Sequence, residues 1–411
     1  MRQEDLPESQ TMSRLIPLFF LASLLAWLLP PSPRPVWVRG HAPPGATVRV
    51  KNTHHVSIAD AHGRFTLPQG ERFTASLAGH FITGASGHAS IRLTLKALPK
   101  HDDADYQWAA PAECASCHQT IYNEWSGGAH SGSATSAGFR RYYRRVIDEK
   151  PDGAGVCTSC HAPGLRDDDL AFFDLRRAEG PLSGVHCDYC HKVHDLNAGD
   201  IGLTHGRFLL KLLRPSKGQL FFGPRDDADR GDDAYSPLHR DSRYCAACHE
   251  GNVFGIPVYT TYSEWLDSPA GRAGMGCQEC HNKAGHTFST GTPGLELEVG
   301  FTHTTSGTFA EVRLTPSKVG HRLPTGFVER RLVMTLEAGD YREETTFARR
   351  VTQPFWHGEA GADTRLRPGE PFVKRVRLPS GVPSLRVLIT RYRYQTQPDD
   401  GQVILDRKWS R

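Results

Sequence analysis

Ten cysteines in the 411-residue sequence fall into five Cys-x-x-Cys pairs, and each pair is followed at once by histidine. The motifs are Cys114, Cys117, His118 (I); Cys157, Cys160, His161 (II); Cys187, Cys190, His191 (III); Cys245, Cys248, His249 (IV); and Cys277, Cys280, His281 (V). Two thiols at this spacing can form thioethers with the two vinyl groups of one porphyrin, and the next residue then offers an imidazole to the iron as proximal ligand. At these cysteine and histidine frequencies a single CxxCH arises by chance in about one such chain in a hundred, so five together are not chance.

Other cysteine chemistry fits less well. A structural zinc site pairs two CxxC knuckles, which leaves one of five orphaned and gives no reason for the invariant histidine. A thioredoxin-like site needs one copy near a βαβ pattern, and none is visible. Disulfides would not keep to one spacing. The sequence therefore points to five covalently attached haems c, each with iron, and no thiol remains for another purpose. Sixteen histidines lie outside the motifs, and five would be needed as distal ligands for full bis-histidine coordination. The candidates are His130, His321, His286, His186, His205 and His194. His41, His54, His55, His62, His80 and His88 cluster near the N-terminus and are expected to be solvated. Tyr189, Tyr244, Trp125 and Trp265 are expected to pack against haem.

The elements that must position these motifs are uneven along the chain. Leu15 to Leu29 is an apolar run that spans roughly 22 Å as a helix, short of a ~30 Å bilayer core. It reads as the core of a signal peptide or an N-terminal anchor over residues 1–33, with possible membrane attachment through residues 15–29. Glu4, Asp5 and Glu8 are wrong for a basic leader, and a start at Met12 would remove them. Export agrees with haem attachment outside the cytoplasm and predicts a periplasmic protein.

Residues 34–100 alternate apolar and polar side chains between turn signals. Val36–Val38, Ala46–Val50, Arg64–Leu67 and Ala89–Leu95 read as strands, with Pro44-Gly45 and Asp60 to Gly63 as turns. Residues 108–290 hold all five motifs at unequal intervals, which excludes a regular repeat. Helices are expected over Phe139–Glu149 and Leu170–Arg177, but there is too little apolar sequence for a conventional core, so this segment should be organised by its porphyrins. From 295 to 411 alternation returns, with strand candidates at Glu311–Thr315, Arg331–Glu337, Pro371–Leu378 and Leu385–Tyr394. The expected fold class is mixed: a small N-terminal β-sandwich, a mostly α and irregular multihaem domain, and a C-terminal β-sandwich.

Composition limits the partners. About 45% of residues are apolar once glycine is counted, the lower edge for a globular chain, which excludes wholesale disorder. A net charge of +4 from 49 basic and 45 acidic residues does not argue for nucleic acid. Each ferric haem with two imidazoles and two ionised propionates adds about −1, and each ferrous one about −2, so a five-haem protein would sit near −1 oxidised and near −6 reduced.

Three stretches carry a family resemblance. ECASCHQTIYNEWSGGAHSGS (113–133) resembles the c-554 kind of multihaem cytochrome, typified by the four-haem carrier that serves hydroxylamine oxidoreductase. In that family a CxxCH is followed by a Trp and then by a His that ligates iron from the distal side, and Trp125 and His130 match. GVHCDYCHKVHD (184–195) and TYSEWLDSPAGRAGMGCQECH (261–281) are similar to later haem sites of the same group. VGHRLPTGF (319–327) resembles the GHxxPTG element of β-domains appended to such cytochromes, which implies that His321 reaches back to a haem. Residues 36–98 resemble, more faintly, the small β-sandwich related to carboxypeptidase regulatory domains. Where relatives carry a His after the EWxxS run, this chain has Pro269-Ala270.

The resemblance implies electron transfer, with redox proteins such as a quinol oxidase or a terminal reductase or oxidase as partners. The alternative is an oxidoreductase acting on a small nitrogen or sulfur compound at one iron with an open position, which the Pro269-Ala270 departure keeps in play. Against it, no motif replaces the proximal His by Lys as pentahaem nitrite reductases do, and no tyrosine cross-link signature is present. A scaffolding subunit, whose β-modules dock partners, is a third class. Catalytic residues are not expected in the carrier.

Overall fold

The structure is a computed structural model that describes residues 36–87, 90–151, 155–166, 174–175, 182–289, 294–394 and 401–410. The apolar run at 15–29 and all but two residues of the helix expected at 170–177 lie outside these. Contacts divide the described chain into two compact units, residues 36–74 with 84–94, and residues 75–83 with 95–410. Several small sheets and short helices make up the fold.

The first unit is built by alternation. In β1 (Trp37–His41) and β4 (Arg64–Pro68), Val38, Gly40, Phe65 and Leu67 are buried while their neighbours face out. The two strands pair antiparallel with Gly40 opposite Phe65, and a Cβ on Gly40 would fall 2.3 Å from the Phe65 ring, so this close approach requires glycine. Asp60 closes the turn before β4, accepting from His62 N at 2.9 Å and Arg64 N at 2.8 Å. One sheet has the order β4-β1-β7, with β7 at Ser90–Arg92. The other has the order β3-β2-β5-β6, from Val56–Ile58, Thr47–Val50, Phe73–Ser76 and Thr83–Ala85.

In the second unit the motif-bearing segment has eight α-helices among the described residues: α1 (Pro111–Ser126), α2 (Ala137–Glu149), α3 (Gly155–His161), α4 (Cys187–Cys190), α5 (Ser242–His249), α6 (Thr261–Leu266), α7 (Pro269–Arg272) and α8 (Cys277–His281). Between them run three two-stranded ribbons that the sequence did not announce: β8 (Val193–Leu196) with β9 (Leu210–Leu212), β10 (Phe221–Gly223) with β11 (Asp233–Tyr235), and β12 (Glu250–Val253) with β13 (Ile256–Thr260). Strands of three to five residues carry too little alternation to be read in advance. Their apolar side chains form small clusters, such as Phe81 with Leu213, Leu220, Phe222 and Ala234.

The C-terminal strands are longer. β14 (Leu295–Thr304), β15 (Gly307–Pro316) and β19 (Phe372–Leu378) form one sheet; β18 (Ala360–Asp363), β17 (Tyr341–Val351), β16 (Arg331–Ala338), β20 (Ser384–Tyr392) and β21 (Gln402–Ser410) form another. Val312 and Leu314 of the first share one apolar core with Leu332, Met334, Leu336, Val387 and Ile389 of the second. β16, the strand expected at Arg331–Glu337, is central and buried without a break from Leu332 to Leu336. The connection from β15 to β16, residues 317–330, carries the VGHRLPTGF element.

Candidate haem and iron-ligand sites

Each CxxCH motif sits on a helix or at its end. On an α-helix residues three and four apart share a face, so one turn brings both thiols and the imidazole to the same side. Local chemistry starts these turns. Ala110 N donates to Glu113 Oε1 at 2.8 Å and Pro111 opens α1. Asp241 accepts from Arg243 N at 2.8 Å before α5. His186 Nδ1 accepts from Tyr189 N at 3.2 Å before α4.

Three motif histidines have their ring tautomer set by the backbone. Nδ1 of His161, His191 and His281 donates to the carbonyls of Ser133 (2.7 Å), Phe222 (2.6 Å) and Phe288 (2.9 Å). A donating Nδ1 leaves the Nε2 lone pair for a metal, the usual arrangement around ligating histidine. His118 differs. It lies at a kink in α1, and Arg230 Nη1, held through its own guanidinium by Asp233, sits 2.9 Å from its Nε2. Iron at His118 needs that guanidinium to turn away.

The tertiary fold pairs imidazoles. His130 and His249 have ring centroids 6.4 Å apart, His281 and His321 6.3 Å, and His191 and His239 5.6 Å. Two imidazoles on opposite sides of one iron, with metal–nitrogen bonds of about 2 Å, place their centroids roughly 6 Å apart. The residues thus fit the group. Burial pushes His239 down to about 3, helped by the charge of His191, and pushes His249 down to about 3, helped by His130 and Arg330. Burial also lowers His130, His161, His191 and His321. The neutral imidazole is the ligating form.

The remaining sequence candidates fall elsewhere. His186 is fully buried, packs edge-on to Trp108, and its Nε2 has no hydrogen-bond partner among the described residues. Burial pushes it down to about 4, and a Cβ on Gly164 would meet that nitrogen at 2.5 Å. His205 Nδ1 is likewise buried without a hydrogen-bond partner there, against Gly251. Such orphaned nitrogens are uncommon in folded chains and are what a metal would satisfy. His286 lies against α1, its backbone N donating to Glu124 Oε2 at 3.0 Å, within electrostatic range of His118. His194 is exposed beside Phe222.

His239 was not among the sequence candidates. It lies shortly before Cys245 in a short charged stretch, and nothing local marks it as a ligand. Also unannounced is a fully buried pair beside motif III, Lys192 with Asp188, whose second oxygen accepts from Tyr106 Oη at 2.8 Å and Ala109 N at 2.9 Å. Trp125 donates Nε1 to Val185 O at 2.8 Å and so ties α1 to the approach to motif III.

Neighbouring motifs touch. The Cys187 thiol holds Cys114 down to about 7, and the Cys245 thiol holds Cys277 down to about 7; Cys160 and Cys248 are similarly in hydrogen-bonding reach. Tyr244 Oη donates to Cys190 O at 2.9 Å, and Cys277 N donates to Ser242 Oγ at 3.0 Å. As thioethers these sulfurs would not titrate, so the contacts matter here as geometry.

Five CxxCH turns, three of them facing a second imidazole, are a donor set that fits covalently bound haem c and its iron as cofactor. Within the chain, residues 113–192 match the family of cytochrome c554 and c-prime. The fold is similar to the crystal structure of a penta-heme cytochrome c552 from Thermochromatium tepidum, with a TM-score of 0.62 and 21% identity over 74% of this chain and 98% of that one. The comparison with curated proteins returns no match.

Proposed function

We propose that the chain is an exported electron-transfer protein carrying five haems. The reading rests above all on the three imidazole pairs, His130 with His249, His191 with His239, and His281 with His321. Haem c held by two imidazoles would supply one-electron transfer. The chain's part is to fix spacing and ligation and to keep water from the iron. In this reading motif I joins III, III joins IV, and II and V both meet IV, following the cysteine contacts and the Tyr244 bond. The partners would be redox proteins, a quinol oxidase or a terminal reductase or oxidase among them. Export rests on haem chemistry and on the apolar run at 15–29; among the described residues no helix is long and apolar enough to cross a membrane.

We read the domains as 34–100, 108–290 and 295–411, with β-sandwiches at both ends. The Pro269-Ala270 departure has a neighbour in the fold: Gly320, next to His321, packs against Ala270 and Trp265, so the C-terminal connection brings a histidine close to the segment that lacks one. One observation favours the alternative enzyme reading. His161 lies face to face with Phe139, centroids 4.2 Å apart, and among the described residues no second imidazole stacks against it. Mass spectrometry of the mature protein with electron paramagnetic resonance tests both. The carrier predicts five haems and a low-spin ferric spectrum that nitrite and hydroxylamine leave unchanged. A high-spin ferric signal that shifts with either compound would move the assignment to the enzyme, with motif II as its site.

A further inference from the structure

His281 and His321 come from stretches of chain that share no helix or strand, and a buried carboxylate lies between those stretches. Glu264, on α6, is 8% exposed. It accepts from Thr260 Oγ1, from Arg365 Nη1 and, through Oε2 at 2.7 Å, from Thr325 Oγ1, while Arg349 Nη2 stands 3.6 Å away. Burying such ions takes them out of water, and apolar residues of similar shape would often serve stability as well or better. The cluster is better explained by the geometry it enforces.

On one side Glu264 belongs to the elements around motif V. Its neighbour Trp265 donates Nε1 to Met275 O at 2.8 Å, just before Cys277. On the other side the cluster ties down the connection that carries His321. Thr325 is held by Glu264 and by Thr261 Oγ1 at 2.9 Å; Pro324 O accepts from Arg365 at 3.3 Å; Leu323 and Leu366 exchange both backbone hydrogen bonds at 2.9 Å. Arg322 reaches Asp363 at 3.0 Å, and Asp363 in turn holds Arg365. Each residue from Arg322 to Thr325 is therefore fixed, and His321 stands at the head of that run with Nδ1 donating to Arg322 O at 3.1 Å. Ligand geometry is set by such supporting contacts, and small displacements weaken a metal bond.

We propose that Glu264 is the positioning residue for His321: by gripping Thr325 it sets the 319–327 connection against the motif V elements, so that the C-terminal β-region supplies the second imidazole opposite His281. This rests on the reading of His281 and His321 as an axial pair. It gives the buried ionic cluster a purpose and makes the C-terminal β-region part of a haem site.

The test uses the full-length holoprotein and four variants, H321A, T325V, T325S and E264Q, read by electron paramagnetic resonance, haem content and the midpoint potential of each haem. H321A is expected to turn one haem wholly high-spin. T325V, an isosteric change of hydroxyl to methyl, and E264Q are expected to turn a fraction of that same haem high-spin and shift its potential at unchanged haem content, with a lower melting temperature for E264Q, which leaves the buried Arg349 and Arg365 without their carboxylate. T325S is expected to match the parent, because it keeps the hydroxyl. If H321A converts a haem while T325V and E264Q stay low-spin with unshifted potentials, the positioning role is wrong. If H321A itself changes nothing, the axial-pair reading fails and takes the proposal with it. Should E264Q fail to accumulate, the T325V and T325S comparison decides alone.

Discussion

The motif-bearing segment and the C-terminal strands solve the folding problem in opposite ways. The strands from β14 to β21 bury a continuous apolar core, with Val312, Leu314, Met334, Leu385, Val387 and Ile389 fully covered. Among the described residues the segment from α1 to α8 has smaller clusters, such as Ala134, Tyr143, Ala162, Leu165 and Leu175, or Tyr142, Val146, Ile256 and Val258 packed with Val328, Val351, Phe355 and Trp356, and it buries orphaned imidazole nitrogens. A chain that must seat large apolar macrocycles leaves room for them and places polar ligands inside. A chain that needs only to hold its shape fills its own interior.

The largest effect should follow from disturbing the first region at its centre. Removing the motif IV thiols (Cys245→Ala with Cys248→Ala) is expected to lower haem content by more than one, because these sulfurs touch motifs II and V. The same double change at motif I (Cys114→Ala with Cys117→Ala) should lower it by one. Haem quantification with limited proteolysis checks this, with cleavage expected between 111 and 289 while the C-terminal strands resist; equal losses in the two variants would count against motif IV as a junction. In the other region, Met334→Ala should cost about 2–5 kcal/mol, seen as a lower thermal midpoint with an unchanged haem spectrum. A shift in the haem bands would show that the two cores are not independent.

A narrower test is His239→Ala. It should convert one haem to the high-spin form with the global fold intact, whereas His194→Ala should leave the spectrum as it was. The smallest expected effect is at Asp363. Burial works to raise its carboxyl, but hydrogen bonds from Arg365 and the charges of Arg365 and Arg322 hold it below the ordinary value. With the folded value the lower, its stabilisation is full above the unfolded pKa of about 4 and is lost as pH falls through the folded one. Melts across that range should show Asp363→Asn losing less stability on acidification than the parent.

Elements with a local signal are legible in the sequence. The helix expected at 139–149 is α2, Ala137–Glu149, and the strands expected at 331–337 and 371–378 are β16 and β19. β17 is not legible: its Tyr341–Val351 sequence is too charged to show as a strand until it pairs with β16 from Ala338 and Tyr341 onward. His130 and His321 stood out because Trp125 and the GHRLPTG element mark them, and both lie in imidazole pairs. His239 had no such mark.

What the sequence determined by itself is therefore the covalent chemistry. Both thiols and the proximal imidazole of a CxxCH lie within one helical turn, so residue type and spacing suffice to bring them together. Which imidazoles come together was decided only by the tertiary structure, since His130 meets His249 and His281 meets His321 across long stretches of chain. Closing such distances takes the folding of everything between, helped at one site by a carboxylate, Glu264, whose own partners are just as remote. No local pattern encodes that.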